Sequence, residues 1–93
     1  MSKELVEKIE KQLSEREQDL AKFMRYGVCS YELVECPEDE PECAYSDESI
    51  EFGEEVYEID RMESMYVKKD EMRMYLITNV DMTRHRLEMA KEL

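Results

Sequence analysis

At Gly27 the hydrophobic pattern changes period. Upstream of it, Leu5, Val6, Ile9, Leu13, Leu20, Phe23 and Met24 recur at the three- and four-residue spacing that puts side chains on one face of a helix. Ser2 is placed to cap that helix and Gly27 to stop it, so an amphipathic helix is predicted from Ser2 to Arg25. Its stripe lapses at Arg16 and Glu17, where the helix is expected to leave the core. Downstream, VCSYELVE (28–35) is short and rich in β-branched and aromatic residues, while ESIEF (48–52) and EEVYEI (54–59) alternate acidic with apolar side chains around Gly53. Three strands are predicted, the last two as a hairpin. CPEDEPEC, Cys36 to Cys43, joins the first strand to that hairpin, because its two prolines bar it from a central strand.

The tail reads two ways. EMRMYLIT (71–78) alternates like a strand, whereas the longer window from Asp70 to Leu93 gathers Met72, Tyr75, Leu76, Val80, Met82, Thr83, Leu87, Met89, Ala90 and Leu93 on one broad helical face. Arg73, Asp81, Arg84, His85, Glu88 and Lys91 then lie opposite, and only Met74 and Ile77 are out of place. The helix is the better reading. The fold class is therefore α+β: an N-terminal helix, a small three-stranded antiparallel sheet and a C-terminal helix, in a single acidic domain spanning 1–93.

Charge is distributed unevenly along this frame. The chain carries 25 acids against 13 bases, a formal net charge of -12. From Tyr26 to Asp60 it has 13 acids and no Lys or Arg: Glu32, Glu35, Glu38, Asp39, Glu40, Glu42, Asp47, Glu48, Glu51, Glu54, Glu55, Glu58 and Asp60. From Arg61 onward, seven bases face six acids. Exposed acids ordinarily alternate with bases, because like charges at close range raise the energy of the compact state. The central segment forgoes that local compensation. Such a charge repels nucleic acid and anionic membrane, so no direct nucleic-acid or membrane partner is expected, and basic protein surfaces are the natural counterparts. A solvated face that serves solubility alone is the plain alternative.

Spacing adds to the argument for a partner. Alternate residues of a strand project from one face at roughly 6.6 Å intervals, and duplex DNA presents its phosphates along each strand at a comparable spacing. Glu38, Glu40 and Glu42, or Glu58 and Asp60, can imitate a run of phosphates. Helix acids Glu4, Glu7, Glu10, Glu15, Glu17 and Asp19 form a weaker half, since Lys8 and Lys11 stand four residues after Glu4 and Glu7.

The residues give catalysis and metal binding little to work with. Cys29, Cys36 and Cys43 have C-x6-C-x6-C spacing and the lone His85 lies on another element, so no zinc set is apparent. The Cys36–Cys43 segment lacks the order of acids and the central Gly of a calcium loop. An odd cysteine count without a secretion signal favours reduced thiols. No nucleophile elbow and no phosphate-cradling glycine loop occurs, so neither an enzyme nor a cofactor is expected. No apolar run approaches the roughly 18–20 residues that span a bilayer, and a soluble cytoplasmic protein is expected. Six of the eight methionines fall from Met62 onward, which fits either core filling or a homodimer seam along the last helix through Met72, Leu76, Met82 and Met89.

A charged opening helix (MSKELVEKIEKQLSEREQDL), a base-free acidic centre (CPEDEPECAYSDESIEFGEEVYEID) and a mixed-charge tail follow one another. In this order and over its whole length the chain resembles the Arn family, the anti-restriction nuclease proteins of T-even bacteriophages. The resemblance implies a homodimeric DNA mimic in the cytoplasm of the infected bacterial host. There it would block McrBC, the host complex that cuts DNA carrying modified cytosine. It also allows binding to nucleoid proteins such as H-NS. The family has no catalytic motif, so the central acids are the candidate site as a group. A small acidic adaptor that binds a basic host protein by shape, without competing with DNA, is the other reading. For Cys36–Cys43 the resemblance favours a stiffened piece of a negative ridge, with a disordered spacer as the rival.

Overall fold

In a computed structural model, which describes residues 3–39 and 41–92, the first helix, α1, runs over Lys3–Tyr26. Gly27 ends it as the sequence predicts: at φ +76° it adopts the left-handed conformation that glycine favours, and its N–H donates to the Phe23 carbonyl at 2.8 Å. The proposed cap, Ser2, lies outside the described residues, as do Glu40 and Leu93. Strands β1 (Glu32–Glu35), β2 (Glu55–Asp60) and β3 (Met65–Lys68) follow, then a 3-10 turn at Lys69–Glu71 and helix α2 over Met72–Glu92. The sheet is antiparallel in the order β1-β2-β3. The α+β class and its order of elements are as expected, and residues 72–78 are helical rather than extended.

The identity of one strand differs. ESIEF forms no strand of the sheet and contributes only an isolated bridge between Ser49 and Glu42. The third strand is MYVK, which pairs with β2 in a hairpin closed by Arg61–Ser64. Asp60 initiates this turn, its Oδ1 accepting the N–H of Met62 at 2.9 Å and of Glu63 at 3.2 Å, and Ser64 reverses the chain at φ +55°. Gly53 does mark a turn, but a local one: the Glu54 N–H donates to the Glu51 carbonyl at 3.1 Å, and Gly53 stands at φ +84°. The alternation in ESIEF reflects one buried residue, Ile50, and one exposed one, Phe52, not a pleated strand.

The 93 residues divide into two compact units, Met1–Cys29 with Leu76–Leu93, and Ser30–Tyr75. In the first, α1 packs against the greater part of α2. Ile9, Leu87 and Ala90 form a buried cluster, with Val6 and Leu13 against it. Further along α1, Arg16 hydrogen-bonds Thr83, which is fully buried, and the Arg84 guanidinium meets the Glu17 carboxylate at 2.9 Å. Position 9 against 87 and 90, and 16 against 83, means the helices run antiparallel. The gap in the apolar stripe is therefore not where α1 departs. It is a polar layer inside the helix pair, matched from the opposite helix.

The inward row of α2 is also narrower than the predicted face. Leu76, Val80, Thr83, Leu87 and Ala90 are buried, whereas Met82 and Met89 are exposed. The steps between the buried positions alternate four and three, the spacing of a seam between two helices.

In the second unit, Cys36, Cys43, Ile50, Val56, Tyr57, Tyr66, Val67 and Met72 are the buried hydrophobics. The segment between β1 and β2 crosses the sheet: Cys43 bridges Tyr66 in parallel fashion at the edge of β3, and the Ala44 N–H donates to the Tyr66 carbonyl at 2.8 Å. It then returns, with the Ile50 N–H on the Pro41 carbonyl at 3.0 Å.

Candidate acidic interaction surface

The cysteines of CPEDEPEC hold the acidic segment to the second unit. Cys36 is buried, its N–H donates to the Glu54 carbonyl at 2.8 Å, and its own carbonyl accepts the Gly53 N–H at 3.1 Å. Cys43 is fully buried, and its thiol donates to Glu71 Oε2 at 3.1 Å, the same oxygen that accepts from Ser46 Oγ at 2.9 Å. Its sulfur in turn accepts the Lys68 N–H at 3.5 Å. None of the three cysteines is joined in a disulfide. The stretch is thus pinned at both ends by thiols that face inward, while Glu38, Asp39 and Glu42 between and beside the prolines point to solvent. Over its described residues it is a loop whose cysteines act as small buried anchors.

Each described acid from Glu32 to Asp60 is exposed or half-exposed, and none is buried. The sheet register sets two like-charged pairs on neighbouring strands, Glu32 opposite Glu58 and Glu35 opposite Glu55. Directly opposed like charges are unfavourable. Compensation reaches the segment from beyond its end. Lys68 Nζ lies 3.1 Å from Glu48 Oε2, and Lys69 Nζ lies 3.5 Å from Glu55 Oε1. The absence of bases within 26–60 is thus offset at two acids, across separations of 20 and 14 residues that leave no local pattern in the sequence. Among the described residues, Glu32, Glu35, Glu38, Asp39, Glu42, Asp47, Glu51, Glu54 and Glu58 form no ion pair. Glu40, predicted as part of this array, lies outside the described residues, and Asp60 is occupied by its turn.

Two titrating groups register this field. The hydrogen bond to Glu48 holds the Lys68 ammonium above its ordinary value. Burial, and then the charges of Glu58 and Asp39, push the Tyr66 phenol up. The Lys68–Glu48 pair ties the segment after the loop to β3.

The α1 acids belong to the other unit, where Glu17 is paired with Arg84. Of the predicted dimer positions, Met72 and Leu76 are enclosed by their own chain, 0% and 4% exposed, and have no surface to offer a second copy. A helix seam that looked wide enough for both roles is used here for intrachain packing. Met82 and Met89 are exposed on α2, and Met89 lines a shallow groove with Leu5, Ile9, His85, Arg86 and Ala90.

No group of three or more His, Cys, Asp or Glu side chains among the described residues converges as a metal cage. Among those residues, no helix is long and apolar enough to cross a membrane. No protein-family model, no curated protein and no solved structure matches the chain. The acidic surface is read from its own geometry.

Proposed function

We propose that this chain is a mimic of duplex DNA, whose carboxylates from Glu32 to Asp60 occupy the DNA-binding surface of the host restriction complex McrBC in the cytoplasm of an infected bacterium. One observation carries the reading. Among the described residues the segment keeps nine carboxylates, none of them buried, outside any ion pair, with Glu32 held opposite Glu58, an arrangement that folding alone does not favour. A DNA-binding cleft gains much of its affinity from neutralising phosphates, so a rigid array of carboxylates competes without any base-edge contact. Prolines and buried thiols lower the ordering cost of binding by keeping the charges in place. The protein acts by occupancy and transforms nothing. A homodimer fits the same reading, through Met82, Met89 and Leu5, which are exposed on the helical unit.

Competition tests it. McrBC and duplex DNA are mixed with increasing amounts of this protein, and the DNA bound and cleaved is followed. A mimic displaces DNA completely and is itself displaced by excess DNA. A ternary complex of all three would remove the mimic reading and leave a shape-specific adaptor, with a nucleoid protein such as H-NS as the next probe.

A further inference from the structure

Within the acidic unit Phe52 is the most exposed of the described aromatic rings, ahead of Tyr45 at 39%. Phe52 is 63% exposed, while Tyr57 and Tyr66 of the same unit are buried. It sits at the second position of the turn Glu51–Glu54, where the Glu54 N–H donates to the Glu51 carbonyl and Gly53 supplies the positive φ that a type II turn needs at its third position. A Cβ at Gly53 would meet nothing within 4 Å, so the backbone angle, not crowding, requires the glycine. The turn makes no such demand of Phe52, because its second position accepts most residues. Neither turn nor core explains the ring.

The ring's setting is rigid and negatively charged. Two backbone hydrogen bonds tie the turn to buried Cys36, from Cys36 N–H to the Glu54 carbonyl and from Gly53 N–H to the Cys36 carbonyl. Glu51 and Glu54 flank it in sequence, Glu51 exposed and Glu54 partly buried, and neither forms an ion pair among the described residues. A ring held out on a fixed turn loses little freedom on binding. Surfaces that bind a single strand, or a base extruded from a duplex, combine cationic side chains for the backbone with aromatic ones on which the base stacks.

Building on the mimic reading, we infer that Phe52 is the anchor of the interface: a ring offered among carboxylates where nucleic acid offers a base among phosphates. The partner it fits is a basic nucleic-acid-binding surface that carries an aromatic or apolar side chain within reach of the bound backbone. The carboxylates then set the rate of encounter and its salt dependence, and the ring sets the lifetime of the complex.

The test compares Phe52→Ala, Phe52→Tyr and the pair Glu51→Gln with Glu54→Gln for binding to McrBC over a range of salt concentrations, with poly-lysine as a charge-only probe. Far-UV circular dichroism and thermal midpoints establish that each variant folds. Phe52→Ala is expected to weaken McrBC binding about tenfold through faster dissociation, with an unchanged salt slope and unchanged poly-lysine binding. Phe52→Tyr keeps the ring and stays near wild type, while the double amide flattens the salt slope. If Phe52→Ala binds within about twofold of wild type while the amides weaken binding, the anchor is overturned and the mimic reading stands. If wild type fails to bind McrBC, or binds beside DNA, the mimic reading falls and this inference falls with it.

Discussion

Arg16 of α1 hydrogen-bonds Thr83 of α2 across 67 residues of chain, and the Thr83 hydroxyl in turn donates to the Asn79 carbonyl at 2.7 Å. A guanidinium thus finds an acceptor within the seam between the two helices. Polar pairs of this kind set the register of two helices at some cost in stability.

The first prediction concerns that pair. Thr83→Val keeps the shape but leaves Arg16 without its acceptor, and should destabilise the fold by about 1–3 kcal/mol. Arg16→Leu alone should also destabilise, whereas the double variant removes both polar partners and should recover most of the loss. Urea midpoints for the four proteins complete the cycle. Additive losses in the double variant would show that the two residues act independently.

Glu71 holds the acidic loop by accepting from both Cys43 and Ser46. Glu71→Ala leaves two donors unmet and should cost about 1–3 kcal/mol, while Glu71→Gln, which retains an acceptor oxygen, should cost less. Thiol labelling reads the same region. Half-buried Cys29 should react first, and Cys36 and Cys43 only as the unit opens. In Glu71→Ala the reaction of Cys43 should accelerate.

Alkaline pH should destabilise the sheet unit. Tyr66 titrates above its ordinary 10.0 in the folded chain, so the unfolded state loses the phenolic proton first and folding free energy falls as pH rises past about 10. Lys68 titrates above its ordinary 10.5, and the benefit of its pairing with Glu48 is present below that value and is lost as pH rises through the raised one. Both shifts have the same sign. Tyr66→Phe should show a shallower loss of thermal midpoint over that window, and a spectroscopic phenolate titration should show a late-ionising component in wild type that this variant lacks.

Replacing Glu38, Asp39, Glu40 and Glu42 by their amides should weaken partner binding and flatten its salt dependence while leaving the fold intact. Glu48→Gln with Glu55→Gln should do less, because Lys68 and Lys69 already offset those two charges. Relief of repulsion is measurable in the free protein. Glu58→Gln should stabilise it by about 0.2–1 kcal/mol at low salt, with the gain vanishing as salt is added. No change at low salt would mean the Glu32–Glu58 repulsion is already screened, and a loss of stability would mean the Glu58 charge is net favourable to the fold.

Sedimentation is expected to give twice the chain mass at tens of micromolar, and Met82→Lys with Met89→Lys should return it to the monomer. The same substitutions should leave the unfolding free energy of the dissociated monomer within about 0.5 kcal/mol of wild type at equal dilution, since both side chains are exposed. Wild type sedimenting as a monomer would remove the homodimer.

Local chemistry alone determined much of this protein. Apolar spacing and Gly27 delimit α1, alternation around Val56 and Tyr57 marks β2, and the run of acids from Glu32 to Asp60 requires no fold to be counted. Each of these depends on residues a few positions apart, where helix and strand periods act. The partner of β2 was less legible, because MYVK has only four residues and its strand character comes from pairing with β2 and from the Asp60 turn. Long-range contacts decided the rest. Arg16 reads as a break in a helix until Thr83 arrives from the opposite helix, and Glu48 and Glu55 read as uncompensated until Lys68 and Lys69 reach them. Met72 and Leu76 look like candidates for a dimer seam until their own chain encloses them. Hydrogen bonds, ion pairs and burial act over a few ångströms in space whatever the separation in sequence, so only the tertiary structure could assign them.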